Sequence, residues 1–204
     1  MQTRAASALY DYWNEQRGNR PLPLRGEIEP AGLAAVLPDL FILEYDGTAD
    51  PRFRLAGTRL CAQFARELKG SRFDALFAPD ERNRIARIAV NVMAHRAPAL
   101  LLVDMLDGGR ETTGVEIVLL PLATRGRLAD RVIGAFAPLP GMRPPLSAFR
   151  HGTLASVSTI DTARAGNRRP TAAPSSSVVT VAMSRVLHLR VFEGGRTREN
   201  ASET

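Results

Sequence analysis

Few residues in this chain could do chemistry by themselves. There is one cysteine, Cys61, and there are three histidines, His95, His151 and His188. The thiolate is the reactive form of cysteine, and it needs an accessible, electropositive setting. Cys61 instead falls on an apolar helical stripe with Leu60, Phe64 and Leu68, where a thiol is ordinarily inert filler. The histidines are scattered, and with Cys61 they lack the close spacing of a metal site. His95 stands near the end of a helical pattern, where an imidazole commonly makes a favourable contact with the helix dipole. The carboxylates Asp80 and Glu81 sit where that helix should begin, and Asp107-Gly108-Gly109 reads as a hairpin turn rather than a phosphate cradle. The sequence has neither a nucleophile elbow nor a phosphate-binding glycine loop. The expectation is a non-catalytic protein, with no metal site and no cofactor.

Arginines are the other chemically active class. Lys69 is the only lysine, so 26 of the 27 basic residues are arginine. The net charge of +6 and the pI of about 10.6 raise the question of nucleic acid. The distribution answers it: residues 1–142 carry 18 basic against 17 acidic side chains, and residues 143–204 carry 9 against 4. Binding to nucleic acid follows a clustered basic face, not overall pI. The body is nearly neutral and the excess lies in the tail, so nucleic acid is a minor alternative that would act through that tail. No run has the length of a membrane-spanning helix, and Arg4 is not followed by the apolar stretch of a secretory signal. A single cysteine rules out an internal disulfide and suits a cytoplasmic setting.

The elements that would position these residues follow from periodicity. Residues 7–17 read as a helix with Leu9, Tyr12 and Trp13 on one face, ended by Gly18, Pro21 and Pro23. Its aromatic residues either pack the helix onto the domain or form a dimer or partner surface. A short helix opening at Pro30 carries Leu33, Val36 and Leu37, and Pro38 stops it. Residues 40–45 and 53–57 read as an antiparallel pair of strands. Gly57 permits a sharp turn into a helix that Thr58 should cap and Gly70 should end. Residues 79–95 form a longer helix with a buried stripe of Ile85, Ile88, Ala89 and Val92. Strands at 99–106, 111–122 and 131–137 complete the order. Strand 99–106 is so apolar that it should be central in its sheet or have its outer face covered by the N-terminal helix.

This order describes an α+β fold: a five-stranded antiparallel sheet with helices across one face, an N-terminal helix, and a largely disordered C-terminal tail. The domain spans residues 7–142. Residues 143–177, rich in Ser, Thr, Ala, Gly, Pro and Arg, read as a disordered linker. Residues 178–204 form a tail with a strand-like segment at 186–192, suited to docking on a sheet edge of this or another chain.

A pocket between sheet and helices would be lined by Leu55, Phe64, Phe73, Leu76 and Ile88 from the first half, and by Val92, Leu102, Ile117 and Phe136 from the second. The same residues equally describe an ordinary close-packed core. Arg54 and Arg59 flank Gly57 and are placed either to meet an acidic ligand or to solvate a strand edge.

Specific motifs go further. Tyr12-Trp13, Arg17-Gly18, Arg20-Pro21-Leu22-Pro23 and Arg25, followed by Glu27-Ile28-Glu29-Pro30, stand near the start. Leu37-Pro38, Phe53-Arg54-Leu55-Ala56-Gly57-Thr58, Arg66-Glu67-Leu68-Lys69-Gly70, Leu119-Leu120-Pro121-Leu122 and Gly134 follow. In combination these resemble a family of small alphaproteobacterial proteins with a single PAS sensory domain, over residues 9–142. Residues 188–195 resemble a tail ending seen in such proteins. The resemblance implies a sensory fold whose members bind small molecules or cofactors, dimerise or dock partners. Flavin photoreceptors of this fold carry a reactive cysteine in a later helix than Cys61, and His95 is the only placement suggesting a haem ligand, so neither cofactor is expected. With the chain taken up by this domain and its tail, the expectation is a signalling or regulatory module acting on a protein partner or on a second copy. A metabolite sensor is the alternative.

Overall fold

The structure is a computed structural model and describes residues 1–47, 50–109, 111–124, 129–142, 145 and 147–162. The strand-like segment at 186–192, His188 and the rest of residues 163–204 lie outside the described residues. Helix α1 spans Arg4–Arg17, and three 3-10 turns lead to strand β1, Leu40–Glu44. Strand β2, Arg52–Ala56, returns antiparallel and enters helix α2, Thr58–Gln63; helix α3 spans Arg82–His95. Strands β3 (Ala99–Asp107), β4 (Thr112–Ala123), β5 (Ala129–Pro138) and β6 (Phe149–Thr159) follow. All neighbours in the sheet are antiparallel, in the order β2-β1-β5-β4-β3-β6. Among the described residues no helix is long and apolar enough to cross a membrane.

The sheet carries a separate apolar cluster on each face. On the inner face, Phe41, Leu43, Phe53, Val103, Ile117 and Phe136 meet Leu60, Phe73, Ile85 and Val92 from the helical block. On the outer face, Ile42, Val118, Leu120, Ile133 and Ala135 meet Ala6, Leu9 and Trp13 of α1. Strand alternation produces this division, since successive side chains leave opposite faces. It also explains the apolar strand β4, which is covered on both sides. Strand β3 is interior in the sheet, between β4 and β6.

The sheet has six strands, not five. The sixth occupies residues that the sequence assigns to a disordered linker. Their small polar composition hides two anchors: Phe149 and Leu154 are buried in the inner core, and Val157 packs against it. Backbone pairing along the length of β3 satisfies the remaining peptide groups. His151, placed outside the domain by the sequence reading, therefore stands within the sheet, opposite Leu106.

Gly57 is the corner where β2 gives way to α2, but for a reason other than turn geometry. Its φ of −70° is open to any residue. A Cβ there would lie 2.3 Å from the Pro38 carbonyl oxygen and 2.5 Å from that of Leu37, and its amide donates to the Leu40 carbonyl at 2.7 Å. Close backbone approach is what requires glycine. Gly57 itself is the N-cap, and Thr58 is the first helical residue rather than a side-chain cap. Helix α2 ends at Gln63, well before Gly70, because Ala65 turns left-handed at φ 48° and Glu67 accepts from the Leu68 and Lys69 amides, both at 3.1 Å.

Candidate functional site

Six of the nine anticipated pocket residues meet in the inner core: Phe64, Phe73, Leu76, Val92, Ile117 and Phe136 are all buried. Their rings are in contact. Phe73 lies 5.7 Å from Phe41, 5.8 Å from Phe53 and 5.6 Å from Phe77 between centroids. Phe64 lies 5.8 Å from both Phe136 and Phe149. Ring packing of this kind, stacked for Phe41 and Phe73 and edge-to-face for the other pairs, fills volume at crystal-like density. Ile88 stands at the margin of this core. The other two face away. A register shift at Ile42/Leu43 pairs Leu55 with Ile42 on the outer face, leaving Leu55 46% exposed. Leu102 pairs with Glu116 and is half-buried on that same outer face.

The outer face is built around α1. Thr3 caps the helix, its Oγ1 accepting from the Ala6 amide at 3.2 Å. Glu116, fully buried in β4, accepts from the Gln2 amide, the Thr3 amide and the Thr3 hydroxyl at 2.8, 2.8 and 2.7 Å. At the other end Trp13 is fully buried, and its Nε1 donates to the Pro121 carbonyl at 2.9 Å. Of the interface candidates, Leu9 and Trp13 are therefore spent on this chain's own sheet, because the sheet offers the apolar area that they need. Tyr12 is half-buried, and its hydroxyl accepts from the Glu29 amide at 3.0 Å. Sequence reasoning missed Thr3 and Glu116. The available signal was a lone carboxylate inside the apolar run Val115 to Leu120, which needs buried donors wherever it is covered. Helix α1 lies on β4 and β5. On β3 beside it, Leu100, Leu102 and Leu106 remain half-buried, next to Ser158, Ser156 and His151 of β6.

The reactive side chains are placed quietly. Burial pushes the Cys61 thiol up, and the neighbouring Glu67 carboxylate pushes it further; the Leu68 amide opposes them. His95 is exposed in the last turn of α3. Among the described residues no group of three His, Cys, Asp or Glu could hold a metal ion. Arg59 and Arg54 do not converge: Arg59 donates to Asp39, pinning α2 to the turn before β1, while Arg54 pairs with Glu44 at 3.4 Å. Among the described residues, two open clefts are lined as follows. One, of about 600 Å³, runs between α3 and the β1–β2 connection beside Tyr45, Asp50, Asn83 and Arg87. The other, of about 430 Å³, lies on the outer face of β2, β1 and β5.

No curated protein matches the chain at a significant level. A solved light-oxygen-voltage domain, studied through a flavin analogue, aligns with 54% of this chain and 84% of its own at 10% identity and a TM-score of 0.43. A likeness that slight carries no argument about this chain. The family model of the PAS domain matches residues 1–137, the span from α1 to the end of β5, and the chain belongs to that family.

Proposed function

We propose that this chain is a non-catalytic signalling module that works by protein–protein contact through the outer face of its sheet, by pairing with a second copy or by docking a signalling partner in the cytoplasm. PAS domains are sensory and signalling modules. One observation carries the reading: the leucine row Leu100, Leu102 and Leu106 on β3, left half-buried where α1 stops covering the sheet. A half-buried aliphatic row is a surface that a partner can cover, and the exposed Asp104 between Leu102 and Leu106 would have to stay at its rim or be paired by that partner. The ring-filled inner core supports the same choice, since Phe64, Phe73 and Phe136 are in contact with other rings there.

The test uses the full chain. Sedimentation of wild type and Leu102→Glu, with affinity capture from the native cell, reads both forms of contact. The reading expects the wild type to self-associate or to retain a specific partner, and the variant to lose that contact. Identical behaviour of the two proteins in both assays overturns it.

A further inference from the structure

The cleft on β2, β1 and β5 is unlike the rest of the surface. Among the described residues its lining includes Arg25, Arg54, Lys69 and Arg131 and no carboxylate. Several arginines elsewhere pair with acids, Arg20 with Glu27, Arg59 with Asp39 and Arg72 with Asp74 and Asp50, while Arg82 and Arg87 donate to backbone carbonyls. Residues 1–142 are nearly neutral in total, so this concentration of positive charge is local. Glu44, partly exposed on the same face of β1 as Ile42, is shared by Arg54 and Arg131 and offsets part of this charge. Glu67, near Lys69, is turned to the Leu68 and Lys69 amides. Arg25 is half-buried, and its guanidinium has no hydrogen-bond or ion-pair partner among the described residues. The floor is different again: Ile42 and the 46% exposed Leu55 form an apolar ledge between the cations.

We propose that this cleft binds a small phosphorylated organic anion. The phosphate is held by Arg25 with Arg54, Lys69 and Arg131, and the apolar body of the ligand lies on Leu55 and Ile42. Guanidinium groups present forked donors that match phosphate oxygens, and their weak hydration lowers the cost of the contact. A volume of about 430 Å³ suits a ligand of metabolite size. One ligand with a charged head and an apolar body would meet both the Arg25 guanidinium and the exposed Leu55 within the same cleft. The site lies at the β2 end of the sheet, away from the β3 leucine row, and does not depend on the contact surface proposed there.

Titration calorimetry of the full chain with phenyl phosphate tests this, with inorganic phosphate and benzoate as companions. The expected result is saturable one-to-one binding that weakens as salt rises. Arg25→Gln and Leu55→Asp should each weaken it about tenfold or more, a difference of about 1.4 kcal/mol. Neither residue supports the fold by a polar bond, so both variants should melt like the wild type. Phenyl phosphate should bind more tightly than either companion. Inorganic phosphate binding as well as phenyl phosphate would mean an adventitious ion only, and benzoate binding best would mean a carboxylate site. Either result, no binding, or equal affinity in wild type and Arg25→Gln overturns the proposal.

Discussion

Thr3 and Glu116, 113 residues apart in sequence, are joined by a 2.7 Å hydrogen bond from the threonine hydroxyl to the buried carboxylate. The same carboxylate also takes the amides of Gln2 and Thr3. The bond ties the start of α1 to the middle of β4, so the helix is part of the domain rather than an appendage. Its loss should cost much more than that of a surface contact. Glu116→Ala should destabilise the domain by roughly 2–4 kcal/mol, since three donors lose their acceptor in a buried site. Glu116→Gln keeps the volume and one acceptor oxygen and should cost less, about 1–2 kcal/mol. Urea unfolding of the two variants measures this, and equal stability of Glu116→Ala and wild type would contradict it.

The opposite end of α1 makes a separable prediction. Trp13→Phe removes the bond to the Pro121 carbonyl but retains most of the apolar area, for a loss of about 1 kcal/mol plus a small cavity. Trp13→Ala should cost about 3–5 kcal/mol. Thermal or urea unfolding orders the two, and a Trp13→Ala domain as stable as the wild type would show that α1 does not need this anchor.

At the sheet-to-helix corner, Gly57→Ala places a methyl 2.3 Å from the Pro38 carbonyl oxygen. The nearest atoms are backbone and cannot rotate away, so the loss should reach about 1–3 kcal/mol or more. Gly134→Ala puts its methyl 2.2 Å from Phe41 Cζ and 2.7 Å from the Val118 carbonyl oxygen. Here the ring can shift but the carbonyl cannot, and a similar loss is expected. If both alanine variants unfold at the wild-type urea midpoint, the close approaches are not real constraints.

Much of the fold was legible because its patterns are local. Alternation in Arg52–Ala56, the apolar stripe of α3 and the glycine turn after Asp107 each depend on neighbours in sequence. What escaped depends on distant partners. Residues 149–159 have the composition of a linker and become a strand because β3 offers an open edge and the core accepts Phe149 and Leu154. Thr3 became a cap, and Glu116 its acceptor, through a contact over 113 residues. The candidate site was only half readable. Phe64, Phe73 and Phe136 all lie in the inner core, but a register shift in the β1–β2 pair sends Leu55 to the outer face. A one-residue irregularity of that kind is invisible to a period-2 reading.

Cys61 gives a pH prediction. Its thiol is raised above the ordinary value, chiefly by burial, so the reactive thiolate is scarce at neutral pH. The folded state favours the protonated form, so this preference is present below the ordinary thiol pKa and is lost as pH rises through the folded value. Alkylation by iodoacetamide should be slower than that of a free thiol at pH 8 and should climb steeply at more alkaline pH. A rate at pH 7 matching or exceeding that of a free thiol would contradict the half-buried, acid-flanked setting.

The central claim is that the β3 leucine row on the outer face is the working surface of this PAS domain. Sedimentation of the full-length protein across a concentration series, wild type against Leu102→Glu and paired with capture from native lysate, measures it most directly. The account predicts a wild-type assembly or a specific bound partner that Leu102→Glu releases while the far-ultraviolet spectrum stays that of the folded domain. A well-folded Leu102→Glu protein that associates and captures as the wild type does would contradict it.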